Sequence, residues 1–158
     1  MKRTALFAGS FDPFTLGHKS IVDRTLGIAD EVVVGIGVNE YKHYLFPIEK
    51  RVEMIKALYS DNPNVKVMAY NGLTTDFAKK VGADFLVRGV RTSADYEFEM
   101  TLSDINRRLI GIETVLLITE SNLRCVSSSS VRELLSYHKD VKGWVPDIIY
   151  EYINSRTE

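Results

Sequence analysis

The stretch GSFDPFTLGH, residues 9–18, decides how the rest of the chain is read. An apolar run, TALFA (4–8), leads into it. An apolar stripe of helical period leaves it through Ile21, Val22, Thr25, Leu26 and Ala29, so the stretch reads as a strand-to-helix corner. Gly9 lets backbone approach a ligand closely, and Pro13 fixes φ within the turn. Thr15 suits the N-cap, which puts Gly17 and His18 in the first helical turn. The free N–H groups there attract phosphate, and a histidine among them adds a directed donor. The bland alternative is a capping threonine beside a partly buried surface histidine.

The same alternation continues along the chain. EVVVGIGV (31–38), VKVMAY (65–70), DFLVR (84–88) and ETVLLI (113–118) are short and mostly uninterrupted apolar runs. Strands apolar on both faces suit a parallel sheet covered on both sides. Helical stripes separate or follow them: Ile48, Val52, Ile55 and Leu58; then Phe98, Leu102, Ile105 and Leu109; finally Val145, Ile148, Ile149, Tyr152 and Ile153, with Pro146 placed to start the last helix. Residues 1–158 therefore predict one α/β domain, a doubly wound five-stranded parallel sheet.

In such a sheet ligands gather beyond the carboxyl ends of the strands. Those exits carry GSFDPFTLGH, NEYKHYLF (39–46), NGLTTD (71–76), RGVRTSAD (88–95) and TESNLRCVSSSS (119–130). Lys42, Arg88, Arg91 and His18 would then face one crevice. Singly each is an ordinary surface charge, except Arg88, which ends an apolar strand and is followed by Gly89. Together they suit a polyphosphate, whose oxygens match the arginine fork. Ser127 to Ser130 lie before another helical pattern, either as a capping segment or as hydroxyl and N–H ligands for phosphate. Asp95 and Glu99 stand one turn apart, as a solvated helix face also would.

Composition narrows the function class. With 158 residues the chain is long enough to bury roughly 70% of its unfolded surface in one core. A net charge of −1 provides no global field for nucleic acid, so an anion site must come from a few placed cations. The single cysteine, Cys125, forms no internal disulfide and fits a reducing cytoplasm. Asp12 and Pro13 interrupt the N-terminal apolar run before a signal peptide could form, and no apolar run approaches the ~20 residues that span a bilayer. Neither membrane nor nucleic acid is an expected partner. GIGVNE (35–40) begins like a dinucleotide fingerprint but lacks its third glycine. The chain has no P-loop and no G-x-S-x-G elbow, and His43 and His138 have no partners at zinc-ligand spacing. No protein-held metal is predicted.

GSFDPFTLGH resembles the T/HxGH signature of the nucleotidyltransferase superfamily, and VSSSSVR (126–132) resembles its second, ISSTxxR-like signature. RGVRTSADYEFEM (88–100) is similar to the corresponding block of the bacterial phosphopantetheine adenylyltransferases, as are NEYKHYLFPIEKRVEMI and the chain length. The resemblance implies a Rossmann-like nucleotidyltransferase fold. It implies transfer of AMP from ATP to 4′-phosphopantetheine in coenzyme A synthesis, giving dephospho-CoA and pyrophosphate. Mg²⁺ accompanying ATP, a cytoplasmic location and a homohexamer of two trimers are implied with it.

By position, the resemblance assigns Ser10 and Phe11 to the nucleotide, with Ser10 also reaching the acceptor's phosphate. It assigns His18 to the transition state and Lys42, Thr74 and Arg88 to phosphopantetheine. Gly89, Val90, Arg91, Glu99 and the stretch from Leu123 through Ser127, Ser128 and Ser129 would line the ATP site. The chain departs from the family pattern at Thr74, where relatives often carry an apolar residue, at Arg124 and Cys125, and in having four serines. The functional serines are matched to the first three, with Ser130 the next helical position.

Such a reaction needs no general base, because the attacking phosphate is already an anion. It needs alignment of two anions and stabilisation of charge at the α-phosphate. His18 would donate there, and Lys42 and Arg91 would offset repulsion between the reactants. The rival readings are a nicotinate or nicotinamide mononucleotide adenylyltransferase, whose signature has His where this chain has Thr15, and a non-catalytic nucleotide-binding regulator.

Overall fold

The computed structural model describes residues 1–155. In chain order the elements are β1 (Thr4–Gly9), α1 (Leu16–Thr25), β2 (Glu31–Val38), α2 (Ile48–Leu58), β3 (Val65–Asn71), α3 (Thr74–Val81), β4 (Phe85–Val90), α4 (Ser93–Ile110), β5 (Glu113–Ile118), α5 (Ser128–Ser136) and α6 (Asp147–Asn154). Each apolar run is a strand, and all neighbouring strands are parallel.

Alternation along the strands divides the core into two layers. Phe7, Val32, Val34 and Ile36 pack with Ile21 and Val22 of α1, Met54 and Ile55 of α2, Val131 of α5 and Ile149 of α6. The opposite face carries Leu6, Ala8, Val33 and Leu86 against Phe77 and Ala78 of α3. Each fully buried aliphatic side chain contributes about 1.5–3 kcal/mol relative to exposure, which is why apolar residues on both faces of β1 and β2 commit them to the sheet's interior.

The strand order is β3-β2-β1-β4-β5, so the winding reverses between β1 and β4. That is where an open α/β sheet offers a crevice. The β1–β4 ladder pairs only Ala5 with Phe85 and Leu6 with Leu86, whereas β1–β2 pairs from Thr4 to Gly9. The carboxyl ends of β1 and β4 thus part company, and the site lies in the gap.

The stripe on α4 behaves differently from the others. Leu102 is half-buried, but Phe98, Ile105 and Leu109 are 61%, 48% and 55% exposed. The period predicts an apolar helix face, and this chain alone leaves most of it uncovered. Gly111 ends the helix in the left-handed region, φ 71°, where a side chain would be strained. No helix among the described residues is long and apolar enough to cross a membrane.

Candidate active site

Two adjoining cavities, of about 380 and 370 Å³, open at the parted ends of β1 and β4. Ala8, Gly9, Ser10, Lys42, Arg88 and Glu99 line both and form the strip where they meet. From that strip the first cavity extends past Gly37, Tyr70 and Thr74 to Leu102, Ser103 and Asn106 of α4. The second extends past Phe11, His18 and Arg91 to Ser127, Ser128, Ser129 and Arg132.

His18 occupies the third position of α1 and completes its cap. The Thr15 hydroxyl accepts from the His18 N–H at 3.4 Å, and the Thr15 N–H donates to His18 Nδ1 at 2.9 Å. This is a capping box with imidazole in the role usually taken by Glu or Gln. Because Nδ1 accepts a backbone proton, the neutral ring carries its own proton on Nε2. Phe11 and Phe14 pack their rings 5.0 and 5.3 Å from the imidazole, and Phe7 lies 6.1 Å away. Burial, followed by the charges of Arg88 and Arg91, pushes the His18 pKa down to about 3. The result is a neutral N–H donor held rigidly at a helix start that also favours anions.

The cations are held by different means. Arg88 is half-exposed, and its guanidinium forms a two-pronged pair with Glu99, with Nε at 3.0 Å from both carboxylate oxygens and Nη2 at 2.9 Å from one. Arg88 Nη1 also donates to the Ala8 carbonyl, satisfying β1 where its ladder with β4 has ended. Glu99, buried, is therefore not a solvated helix face: it fixes Arg88 from behind. Arg91 is steadied by Asp95, which accepts from its N–H at 3.1 Å and its Nε at 3.2 Å. The exposed Lys42 Nζ lies 3.4 Å from the Ser10 hydroxyl.

A buried polar brace shapes this corner. Asp12 accepts from the Leu45 and Phe46 N–H groups at 2.7 and 2.9 Å, tying the loop that carries Lys42 to the one that carries Ser10. Arg51 reaches the same place from α2, donating to the Ser10 carbonyl at 2.7 Å and the Phe46 carbonyl at 3.0 Å. Its guanidinium also lies 4.0 Å from the centre of the Tyr44 ring.

At the start of α5, Ser127 is the N-cap and Ser130 reciprocates. Ser127 Oγ accepts from the Ser130 N–H at 3.0 Å, and Ser130 Oγ accepts from the Ser127 N–H at 2.9 Å. Ser130 is thereby spent on the cap, while Ser127, Ser128 and Ser129 line the second cavity. Arg132 joins them, donating to the Asp12 carbonyl at 2.9 Å and the Ser129 hydroxyl at 3.2 Å. The second cavity thus combines two helix starts, a neutral imidazole donor and several guanidinium groups, a set that suits a polyphosphate.

Comparison with known proteins agrees with this geometry. A family model described as cytidylyltransferase-like matches residues 6–134. The phosphopantetheine adenylyltransferase of Bacteroides thetaiotaomicron is 59% identical over 145 residues, covering 92% of this chain and 96% of the relative. That of Bacteroides fragilis is 60% identical over 144 residues, 91% of this chain and 96% of the relative. The chain belongs to the phosphopantetheine adenylyltransferase family. A more distant member, from Lachnoclostridium phytofermentans, is 43% identical over 152 residues, 96% of this chain and 93% of the relative. The protein is thus an enzyme of the nucleotidyltransferase class with a Rossmann-like fold.

Most residues matched from the sequence converge. Ser10, Lys42 and Arg88 stand on the shared strip, Thr74 in the first cavity, and Phe11, His18, Gly89, Arg91 and Ser127 to Ser129 in the second. Glu99 reaches both, with its carboxylate committed to Arg88. Val90 and Leu123 do not line either cavity. The Val90 carbonyl accepts from the Thr119 N–H at 2.9 Å, and Leu123 faces a separate groove beside Leu16 and Glu120. Arg132, Tyr70, Ser103 and Asn106 line the cavities as well. Arg132 closes the VSSSSVR motif and was legible there, whereas the others look like ordinary residues of a strand and a helix.

Proposed function

We propose that the protein transfers AMP from ATP to 4′-phosphopantetheine, yielding dephospho-CoA and pyrophosphate. The observation that carries this reading is the pair of cavities meeting along Ser10, Lys42 and Arg88. Two anionic reactants need separate compartments that touch at one polar, cationic strip. In this reading residues 1–158 act as one domain, the second cavity takes ATP and the first takes the phosphopantetheine arm.

A phosphate oxygen of phosphopantetheine attacks the α-phosphorus, a new P–O bond forms, and the bond to the bridging oxygen breaks. Pyrophosphate leaves with that electron pair. Neither group requires a proton from the protein. Lys42, Ser10 and Arg88 hold the acceptor's phosphate, and Lys42 and Arg91 offset its repulsion from ATP. His18 donates from Nε2 to the α-phosphate as charge builds; because its proton stays fixed, it acts by electrostatics and not as a base. Ser127, Ser128, Ser129 and Arg132 hold the triphosphate, and Phe11 and Gly89 border the nucleotide.

Mg²⁺ belongs to this reading as part of the substrate. The two carboxylates of the second cavity are already paired, Glu99 with Arg88 and Asp95 with Arg91. The remaining groups are guanidinium, hydroxyl and imidazole N–H, which favour anions, so the ion would enter bound to the triphosphate and the protein would grip the complex through its phosphates. A cytoplasmic homohexamer of two trimers completes the proposal. The uncovered α4 face supports assembly of some kind, with Phe98, Ile105 and Leu109 exposed and Ile118 73% exposed on edge strand β5.

The test is pyrophosphate release from MgATP with phosphopantetheine, beside matched reactions with nicotinate and nicotinamide mononucleotide. Release with phosphopantetheine alone, with dephospho-CoA as product, is expected. Release only with a mononucleotide would overturn the acceptor, and ATP binding without release would favour a regulator.

A further inference from the structure

The GIGV run of β2 resembles part of a dinucleotide motif, but its glycines have a different purpose here. A Cβ on Gly35 would lie 2.8 Å from the Phe77 ring, and one on Gly37 would lie 3.3 Å from the Tyr70 hydroxyl oxygen. These two positions share one face of the strand, and leaving both bare makes room for two aromatic rings. Tyr70 and Phe77 stack there almost in parallel, at 4.4 Å and 3°. The Tyr70 hydroxyl in turn meets the Thr74 hydroxyl at 2.8 Å. Tyr70 is therefore fixed on three sides: by a stacked ring, by an adjacent glycine and by a hydrogen bond. Its half-buried phenol lines the first cavity, as does Thr74.

Two hydroxyls joined by one hydrogen bond have one proton left over. If Thr74 donates to Tyr70, the phenol proton is free; if Tyr70 donates, the threonine proton is free. In either case the pair offers a donor and spare lone pairs at fixed positions on a wall that also carries Leu6, Leu86 and Leu102. Building such a pair into a packed corner is costly unless its remaining capacity is met, by water or by ligand. A chain of amides is the ligand chemistry that meets it best, because an amide accepts at its oxygen and donates at its nitrogen.

We infer that Tyr70, positioned by Thr74 and seated by Gly37, is a specificity-determining residue that hydrogen-bonds the amide-bearing arm of the acceptor. The inference rests on the reading of the first cavity as the phosphopantetheine site. The resemblance assigns Thr74 to the acceptor and leaves Tyr70 unassigned. The contact is distant from the reacting phosphorus, so it binds ground state and transition state alike and is read in KM and not in kcat.

The experiment is steady-state kinetics of wild type, Tyr70→Phe, Thr74→Val, Thr74→Ser and the Tyr70→Phe/Thr74→Val double variant, varying phosphopantetheine and ATP separately. Tyr70→Phe keeps the ring and its stack on Phe77, so thermal melting should match wild type. Its KM for phosphopantetheine should rise about 3- to 10-fold, the loss of one hydrogen bond, while kcat and the KM for ATP hold. Thr74→Val should shift the same KM, Thr74→Ser should restore it, and the double variant should be no worse than the more severe single one. Binding of pantetheine, which lacks the phosphate, should weaken in Tyr70→Phe by the same factor. An unchanged acceptor KM in a wild-type-active background would overturn the inference and leave the function standing. Equal changes in both KM values with a lowered melting temperature would reduce the pair to a structural role and overturn it too. A wild-type protein that does not use phosphopantetheine would instead overturn the reading beneath it.

Discussion

His18 ties the stability of this protein to pH in a direction that can be worked out from its surroundings. In the unfolded chain the imidazole takes up a proton near pH 6.5, whereas in the folded site it does so only at about pH 3. Between those values the unfolded state binds more protons, so stability falls as pH falls through the window and loses nothing further below it. At about 1.4 kcal/mol per pH unit, the loss between pH 7 and pH 5 is about 2 kcal/mol. His18→Gln isolates the effect: glutamine at the third helical position can still accept from the Thr15 N–H, so the cap survives while the titration is removed. Urea melts at pH 7 and pH 5 supply the comparison. Wild type should lose about 2 kcal/mol more than the variant over this interval. Equal losses would refute the reasoning, because they would mean that the imidazole takes up its proton as readily in the native site as in the unfolded chain.

The other consequences are kinetic and structural. His18→Ala should lose on the order of 10²–10³ in kcat while remaining folded, as removal of one preorganised donor does; full activity in a folded variant would contradict its role. Lys42→Ala should lower kcat/KM for phosphopantetheine by roughly tenfold or more, the value of a charge-assisted contact, with a smaller change for ATP. Glu99→Gln leaves the half-exposed Arg88 guanidinium without its countercharge and should cost about 1–2 kcal/mol in a denaturant melt, less than in a fully buried pair because water reaches Arg88. An unchanged midpoint there would mean that Arg88 finds another partner.

Much of the fold was legible because apolar runs on both faces admit few alternatives. The strands end within two residues of where the runs end, and the loops named from their carboxyl ends are those that build the cavities. Thr15 caps its helix as the sequence indicates, and the cap of α5 falls within the serine run, at Ser127. Other features depend on contacts the sequence does not display. Glu99 resembles a solvated helix residue until α4 is laid over β4, where Arg88 claims it. Arg51, within the polar run EKR, gives no sign of being buried beneath two loops. GIGV begins like a dinucleotide fingerprint because glycine's need for space reads the same whether the neighbour is a ligand or a tyrosine. The α4 stripe shows that periodicity identifies an apolar face without saying what covers it.

The central claim is that the two cavities hold both reactants at once and pass AMP directly between them along their shared strip. ATP made chiral at the α-phosphorus with sulfur and oxygen isotope tests it in one reaction. A single in-line displacement must invert that centre, so the dephospho-CoA analogue formed should show inversion. Retention would reveal two displacements through an adenylylated side chain, and the account of His18, Lys42 and the shared strip would then be wrong.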